Sequence, residues 1–177
     1  MYKIDILLKQ NQKLFHTNDL AILWGIDNRN TLYTAIKRYV AKGVLVPVQK
    51  GLYATVLLDQ LDPSILGDAV IHTYSYISCE TVLARAGVLF QAGEAMTFVS
   101  SFSRRFVIAS HVYIVRKLAD RFLFQDTGIL RQEGVLTATT ARAVADMRYF
   151  HPAAHFDNPR AIDWKTVRTI QKEVGYI

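Results

Sequence analysis

Apolar positions in the first part of the chain recur at helical spacing and then at strand spacing. Ile4, Leu7, Leu8, Leu14 and Phe15, with Asn11 interrupting, follow the i, i+3, i+4 rhythm and predict an amphipathic helix over residues 3–14. Thr17 is placed to cap a second, short helix with Asp19 near its positive end; Leu20, Ala21 and Trp24 form its inner face. Gly25 supplies a left-handed stop, after which Ile26 packs back. The polar turn Asp27-Asn28-Arg29-Asn30 caps a third helix that runs to Lys42 and closes at Gly43. Val44 to Val48 then reads as extended, Gln49-Lys50-Gly51 as a turn, and residues 52–56 as the returning strand. Pro47 removes a ladder donor, which predicts an edge strand in a two-stranded ribbon.

Asp59-Gln60-Leu61-Asp62-Pro63-Ser64 is a polar break, and it divides the chain into a domain of residues 1–58 and another of residues 59–177. The second pattern is mixed. Residues 74–77 read as extended, and a helix starting at Ser78 or Cys79 passes through Val82 and Leu83 to end at Gly87. Residues 96–102, 113–116 and 122–125 read as strands interrupted by Ser103-Arg104-Arg105, and residues 137–150 and 162–174 as closing helices. The expected fold class is α+β: an N-terminal winged helix-turn-helix followed by a mixed α/β C-terminal domain.

Charge sharpens the first half. The chain has 177 residues, 51% hydrophobic and 20% charged, enough to bury a core in one domain or two small ones. Of the net charge of +6, residues 1–58 hold +5, from 8 Lys and Arg against 3 Asp and Glu. No acid occurs between Asp27 and Asp59, whereas Arg29, Lys37, Arg38, Lys42 and Lys50 all do. A field so concentrated suits a polyanion.

Stepping the third helix at roughly 100° per residue puts Leu32, Ala35, Ile36, Tyr39 and Val40 inward and Asn30, Tyr33, Thr34, Lys37, Arg38 and Ala41 outward. Amide, hydroxyl, aromatic and basic groups on one helix face are the types that reach base edges and phosphates from a major groove. Three helices and a hairpin with Lys50 at its tip follow the order of a winged helix-turn-helix, in which the wing touches flanking backbone. The candidate DNA-binding residues are therefore Asn28, Arg29, Asn30, Thr31, Tyr33, Thr34, Lys37, Arg38 and Lys50.

Four stretches, in order, carry a resemblance: Thr17-Asn18-Asp19-Leu20-Ala21; Gln49-Lys50-Gly51-Leu52-Tyr53-Ala54; Tyr76-Ile77-Ser78-Cys79-Glu80-Thr81-Val82-Leu83 with Gly87; and Thr140-Ala141-Arg142-Ala143-Val144-Ala145-Asp146-Met147. Over roughly residues 10 to 160 the chain resembles the AbiE-type antitoxins of bacterial type IV toxin-antitoxin systems. The resemblance implies a winged-helix N-terminal domain, repression of the chain's own operon through inverted repeats in double-stranded operator DNA, and neutralisation of a nucleotidyltransferase toxin.

Catalytic chemistry finds little support. His151, His155 and Asp157 form the best metal-like cluster, but Pro152 works against a continuous helix and no third strong ligand lies nearby. Cys79, the single cysteine, opens an apolar helix and reads as a core residue; pairing with His72 or His111 is the minor alternative. Phosphate-cradling glycine loops are absent, as are the Gly-Ser pair and Asp-x-Asp carboxylates of nucleotidyl transfer. No catalytic residue, cofactor or metal is expected. Arg104-Arg105 and Arg116-Lys117 suit a phosphate or tRNA contact or, preferably, a solvated sheet edge that resists aggregation. With no apolar run long enough for a membrane and no signal-peptide layout at the start, a cytoplasmic protein is expected. The alternative function is a protein- or RNA-binding module whose N-terminal domain is only a docking element.

Overall fold

In the computed structural model, which describes residues 3–177, the first helix is shorter than its periodicity predicts. α1 covers Lys3–Leu8, and a strand, β1 (Leu14–His16), follows. Lys9 to Lys13 are all polar, so continuing the helix through them would gain no buried face, and a short helix without such packing is marginal. Leu14 and Phe15 are both buried, and the backbone of β1 finds its partners in β3 (Leu52–Ala54), with Leu14 opposite Ala54 and His16 opposite Leu52.

The next helices match the sequence reading closely. α2 is Thr17–Trp24 and α3 is Arg29–Ala41. Gly25 ends α2 at φ 61°, a left-handed conformation that disfavours any side chain. The residue before α2 is His16 rather than the expected Thr17, and its backbone N–H donates to Asp19 Oδ2 at 2.7 Å. At α3 the Asn28 side chain accepts from the Thr31 N–H at 3.1 Å. β2 (Val46–Gln49) lies at the edge of a three-stranded sheet ordered β1-β3-β2, with a bulge between Pro47 and Gln49. The ribbon is thus edged by Pro47 as predicted, but β1 makes it three-stranded. Leu7, Leu20, Trp24, Leu32, Ile36 and Leu45 fill the core between helices and sheet.

The chain divides between Val70 and Ile71, not after residue 58. The polar break turns out to be a helix start: Asp62 Oδ1 accepts from the Ser64 and Ile65 N–H groups at 2.7 and 3.2 Å, opening α4 (Pro63–Ile71). Leu61, Leu66 and Val70 are buried, and Gln49 Nε2 donates to the Val70 carbonyl at 3.0 Å. Cap chemistry and linker chemistry use the same residue types, and here the cap won.

Residues 71–177 form the second unit around a six-stranded mixed sheet. Its elements are β4 (Ser75–Ile77), α5 (Glu80–Arg85), β5 (Met96–Ser100), β6 (Arg104–Ile108), β7 (His111–Lys117), α6 (Asp120–Leu123), β8 (Ile129–Gln132), β9 (Val135–Ala138), α7 (Thr140–Phe150) and α8 (Trp164–Val174). The order is β6-β7-β5-β4-β9-β8, with β4 parallel to β9, β5 parallel to β7 and the other neighbours antiparallel. Arg104 and Arg105 sit in edge strand β6 instead of interrupting the sheet. The strand expected at 122–125 is replaced by α6, which buries the adjacent residues Phe122 and Leu123 together, as a strand packed on one face does not. The hairpin β8–β9 turns through Glu133 and Gly134 at φ 49° and 90°, so α7 begins after Thr139, whose Oγ1 accepts from the Arg142 N–H at 3.3 Å.

Arg142 is fully buried, and each of its donors is used. Nε donates to Asp146 Oδ1 at 2.8 Å, Nη1 to the carbonyls of Gln125 and Thr127 at 2.8 and 2.9 Å, and Nη2 to Tyr76 Oη and the Phe122 carbonyl at 3.0 and 3.3 Å. Asp146, equally buried, also accepts from Ser78 Oγ at 2.7 Å and Tyr176 Oη at 2.5 Å. Burial disfavours the guanidinium charge most strongly, but Asp146, with Tyr76 and Tyr176 adding to it, outweighs that and holds the pKa above the ordinary value. Burial, with Asp146 second, raises both tyrosines, so both stay neutral, Tyr76 accepting from Arg142 and Tyr176 donating to Asp146. Gly128 passes the same point at φ 76°, where a Cβ would come within 2.9 Å of Arg142 Cβ and 3.0 Å of Ile170 Cδ1. Cys79, at the joint between β4 and α5, is buried with its thiol pKa pushed well up by burial.

Arg142→Met is expected to destabilise the second unit by about 3–5 kcal/mol, because it strands a buried carboxylate. Pairing it with Asp146→Leu should cost less than the sum of the two single changes. Urea unfolding followed by Trp164 fluorescence in a Trp24→Phe background reads this unit by itself. Gly128→Ala should cost roughly 1–3 kcal/mol in the same assay, from crowding and left-handed backbone strain.

Candidate nucleic-acid interface

Helix α3 is amphipathic in the sense its sequence requires. Leu32, Ala35 and Ile36 are buried and Tyr39 and Val40 half-buried, while Asn30, Tyr33, Thr34, Lys37, Arg38 and Ala41 are all exposed. From Asn30 to Lys37 the helix rises roughly 10 Å, comparable to the width of a DNA major groove. Asn28, Arg29 and Thr31 at its start and Lys50 in the hairpin turn are exposed as well. The structure therefore brings eight of the nine candidate residues together on one helix and its N-terminal turn, and puts Lys50 on a separate projection.

Their individual chemistry differs. Among the described residues, Arg29, Lys37, Arg38, Lys42 and Lys50 form no ion pair, so their charges are uncompensated. Arg38 lies 5.6 Å from the centroid of the Tyr39 ring, a cation–π contact that still leaves its N–H groups at the surface. Asn28 is committed to capping, since its Oδ1 also accepts from Thr31 Oγ1 at 3.3 Å. Thr34 Oγ1 donates to the Asn30 carbonyl at 2.8 Å, leaving its lone pairs and methyl group outward. The Asn30 side-chain amide is exposed and makes no hydrogen bond among the described residues.

Two further residues organise this surface, and the sequence reading missed both roles. Thr17 donates through its N–H at 2.9 Å and its Oγ1 at 3.3 Å to the carbonyl of Gly51, tying the start of α2 to the hairpin turn that carries Lys50. Gly51 adopts φ 81°, a left-handed backbone that disfavours any side chain, while a Cβ there would make only ordinary contact with Thr17 Oγ1 at 3.5 Å. Ile22 is 83% exposed on α2, and Tyr33 52% exposed on α3, at either side of a concavity of about 410 Å³ between the two helices. Ile22 was visible as an apolar residue off the inner stripe of Leu20 and Trp24.

The other candidate chemistries separate. His155 Nε2 lies 3.9 Å from Asp157 Oδ1, but Asp157 Oδ2 accepts from the Phe90 N–H at 2.7 Å, and no group of three or more His, Cys, Asp or Glu able to hold a metal occurs among the described residues. Arg116 is paired with Glu80. Arg104 stands 5.0 Å from the Phe106 ring centroid on the sheet edge. No helix among the described residues is long and apolar enough to cross a membrane.

No protein-family model matches the chain, and no curated protein matches it. Among solved structures it is similar to the RV2827C protein from Mycobacterium tuberculosis, with a TM-score of 0.60 over 98% of this chain and 73% of that one at 11% sequence identity. At that identity the similarity is one of α+β fold.

Proposed function

We propose that the first unit is a winged helix-turn-helix that binds double-stranded operator DNA, α3 entering the major groove and Lys50 touching the flanking backbone. The observation that carries this reading is the exposed, acid-free face of α3, whose cations form no ion pair among the described residues. The element order helix, strand, helix, helix, hairpin and the Thr17–Gly51 tie that fixes the wing tip support it. In this reading Arg29, Lys37, Arg38 and Lys50 supply affinity, Asn30, Tyr33 and Thr34 read bases, and Asn28 and Thr31 hold the helix start. Together with the resemblance to AbiE-type antitoxins, this makes the chain a cytoplasmic autorepressor that neutralises a nucleotidyltransferase toxin.

Lys37→Ala or Lys50→Ala should weaken binding to all duplex sequences and lower the logarithmic salt slope by about 0.9 each, measured by fluorescence anisotropy across a salt series on the DNA upstream of the gene. Unchanged slopes for both would remove them from the interface. Asn30→Ala should cost roughly 1–3 kcal/mol on the preferred site and much less on random duplex. Asn28→Ala should instead lower thermal stability, by about 0.5–2 kcal/mol, through loss of the cap. Lys37→Ala combined with Arg38→Ala should abolish repression yet still protect cells from toxin expressed from a separate promoter. Loss of protection with normal folding would sink the separation of the two activities.

A further inference from the structure

The last two helices of the second unit gather cations that the sequence does not show as a cluster. On α8, Val167, Ile170, Gln171 and Val174 are buried, and Lys165, Arg168 and Lys172 are exposed along the opposite stripe. Arg148 joins them from α7, its guanidinium 5.8 Å from the Trp164 ring centroid. None of these four cations is ion-paired among the described residues. Of the acids on this helix and its cap, Asp163 is engaged by the Lys165 and Thr166 N–H groups at 3.1 and 3.2 Å and by Thr166 Oγ1 at 2.6 Å, while Glu173 lies at the margin of the stripe.

Two grooves meet at Arg168. One, of about 550 Å³, is lined by Arg148, Tyr149, Arg168, Gln171 and Tyr176; the other, of about 350 Å³, by Trp164, Lys165, Arg168, Thr169 and Lys172. Tyr149 stacks on Tyr176 with centroids 4.7 Å apart and planes 24° apart, and it remains 39% exposed. Unpaired cations along a groove with an exposed aromatic ring beside them match a strand whose phosphates track the groove and whose bases are free to stack. A duplex offers the charge but keeps its base faces inside the helix, leaving the ring unused.

We infer that the α7–α8 face binds single-stranded nucleic acid, with Arg148, Arg168 and Lys172 on successive phosphates and a base against Tyr149. The site is independent of α3 and of the operator-binding reading. The test is fluorescence anisotropy of the full chain with a labelled mixed-sequence RNA 12-mer, its abasic counterpart of equal charge, and a duplex DNA of the same length. The intact protein should bind the base-bearing strand roughly tenfold more tightly than the abasic one. Arg148→Ala with Arg168→Ala should weaken strand binding at least tenfold and lower the salt slope by about 1.4, whereas Arg148→Lys with Arg168→Lys should keep most of it. Lys37→Ala with Arg38→Ala should leave strand binding unchanged. Tyr149→Leu should remove the preference over the abasic strand. The inference falls if the arginine pair can be removed without effect, if intact protein treats the two strands alike, or if the face binds duplex and not single strands.

Discussion

A guanidinium cut off from water must find an acceptor for every N–H it carries, and the second unit is arranged so that Arg142 does. Its partners come from β4, from the turn of α6, from the loop leading to β8 and from its own helix one turn on, while Tyr176 closes the set through Asp146. Removing any one partner leaves charge or dipole in a medium that cannot solvate it. Helix α7, the parallel pair β4–β9 and the chain end beyond α8 are therefore held to one geometry by polar satisfaction, and the apolar core of Phe98, Tyr113, Val144 and Val167 packs around that frame. The larger groove on the α7–α8 face shares Tyr176 with that frame.

In the first unit the ordering device is smaller and sits at the surface. One carbonyl, that of Gly51, receives both donors of Thr17, so the turn bearing Lys50 is fixed to the helix that precedes α3. In the proposed complex Lys50 and α3 reach one ligand from separate elements, and such a tie spares the entropy of aligning them at binding. The cap at Asn28 does the same for the leading end of α3.

Much of this was legible beforehand, and the exceptions have physical reasons. The inward and outward faces of α3, its cap and stop, the glycine ending α2 and the edge position of Pro47 were readable because each depends on neighbours a few residues away. Strand β1 was not, since its pairing with β3 spans some forty residues and Leu14 and Phe15 fit a helical stripe equally well. Asp62-Pro63-Ser64 served helix start and linker alike. The spacing of Arg142 and Asp146 is that of an ordinary surface pair on a helix; only the run of Ala141, Ala143, Val144 and Ala145 around them hinted at burial. The candidate DNA face was legible because it is continuous in sequence, whereas the α7–α8 face joins residues from two separate helices.

The Arg142 frame also constrains how this chain can change over generations. Tyr76, Arg142, Asp146 and Tyr176 share bonds, so their substitutions are not independent, and each single replacement costs stability that a second must restore. An apolar core of equal volume is a workable alternative at such sites, yet the path to it runs through an intermediate with a buried lone charge. Four positions spread over a hundred residues of sequence are thus coupled in stability, and a change at one is expected to be tolerated only with a compensating change at another.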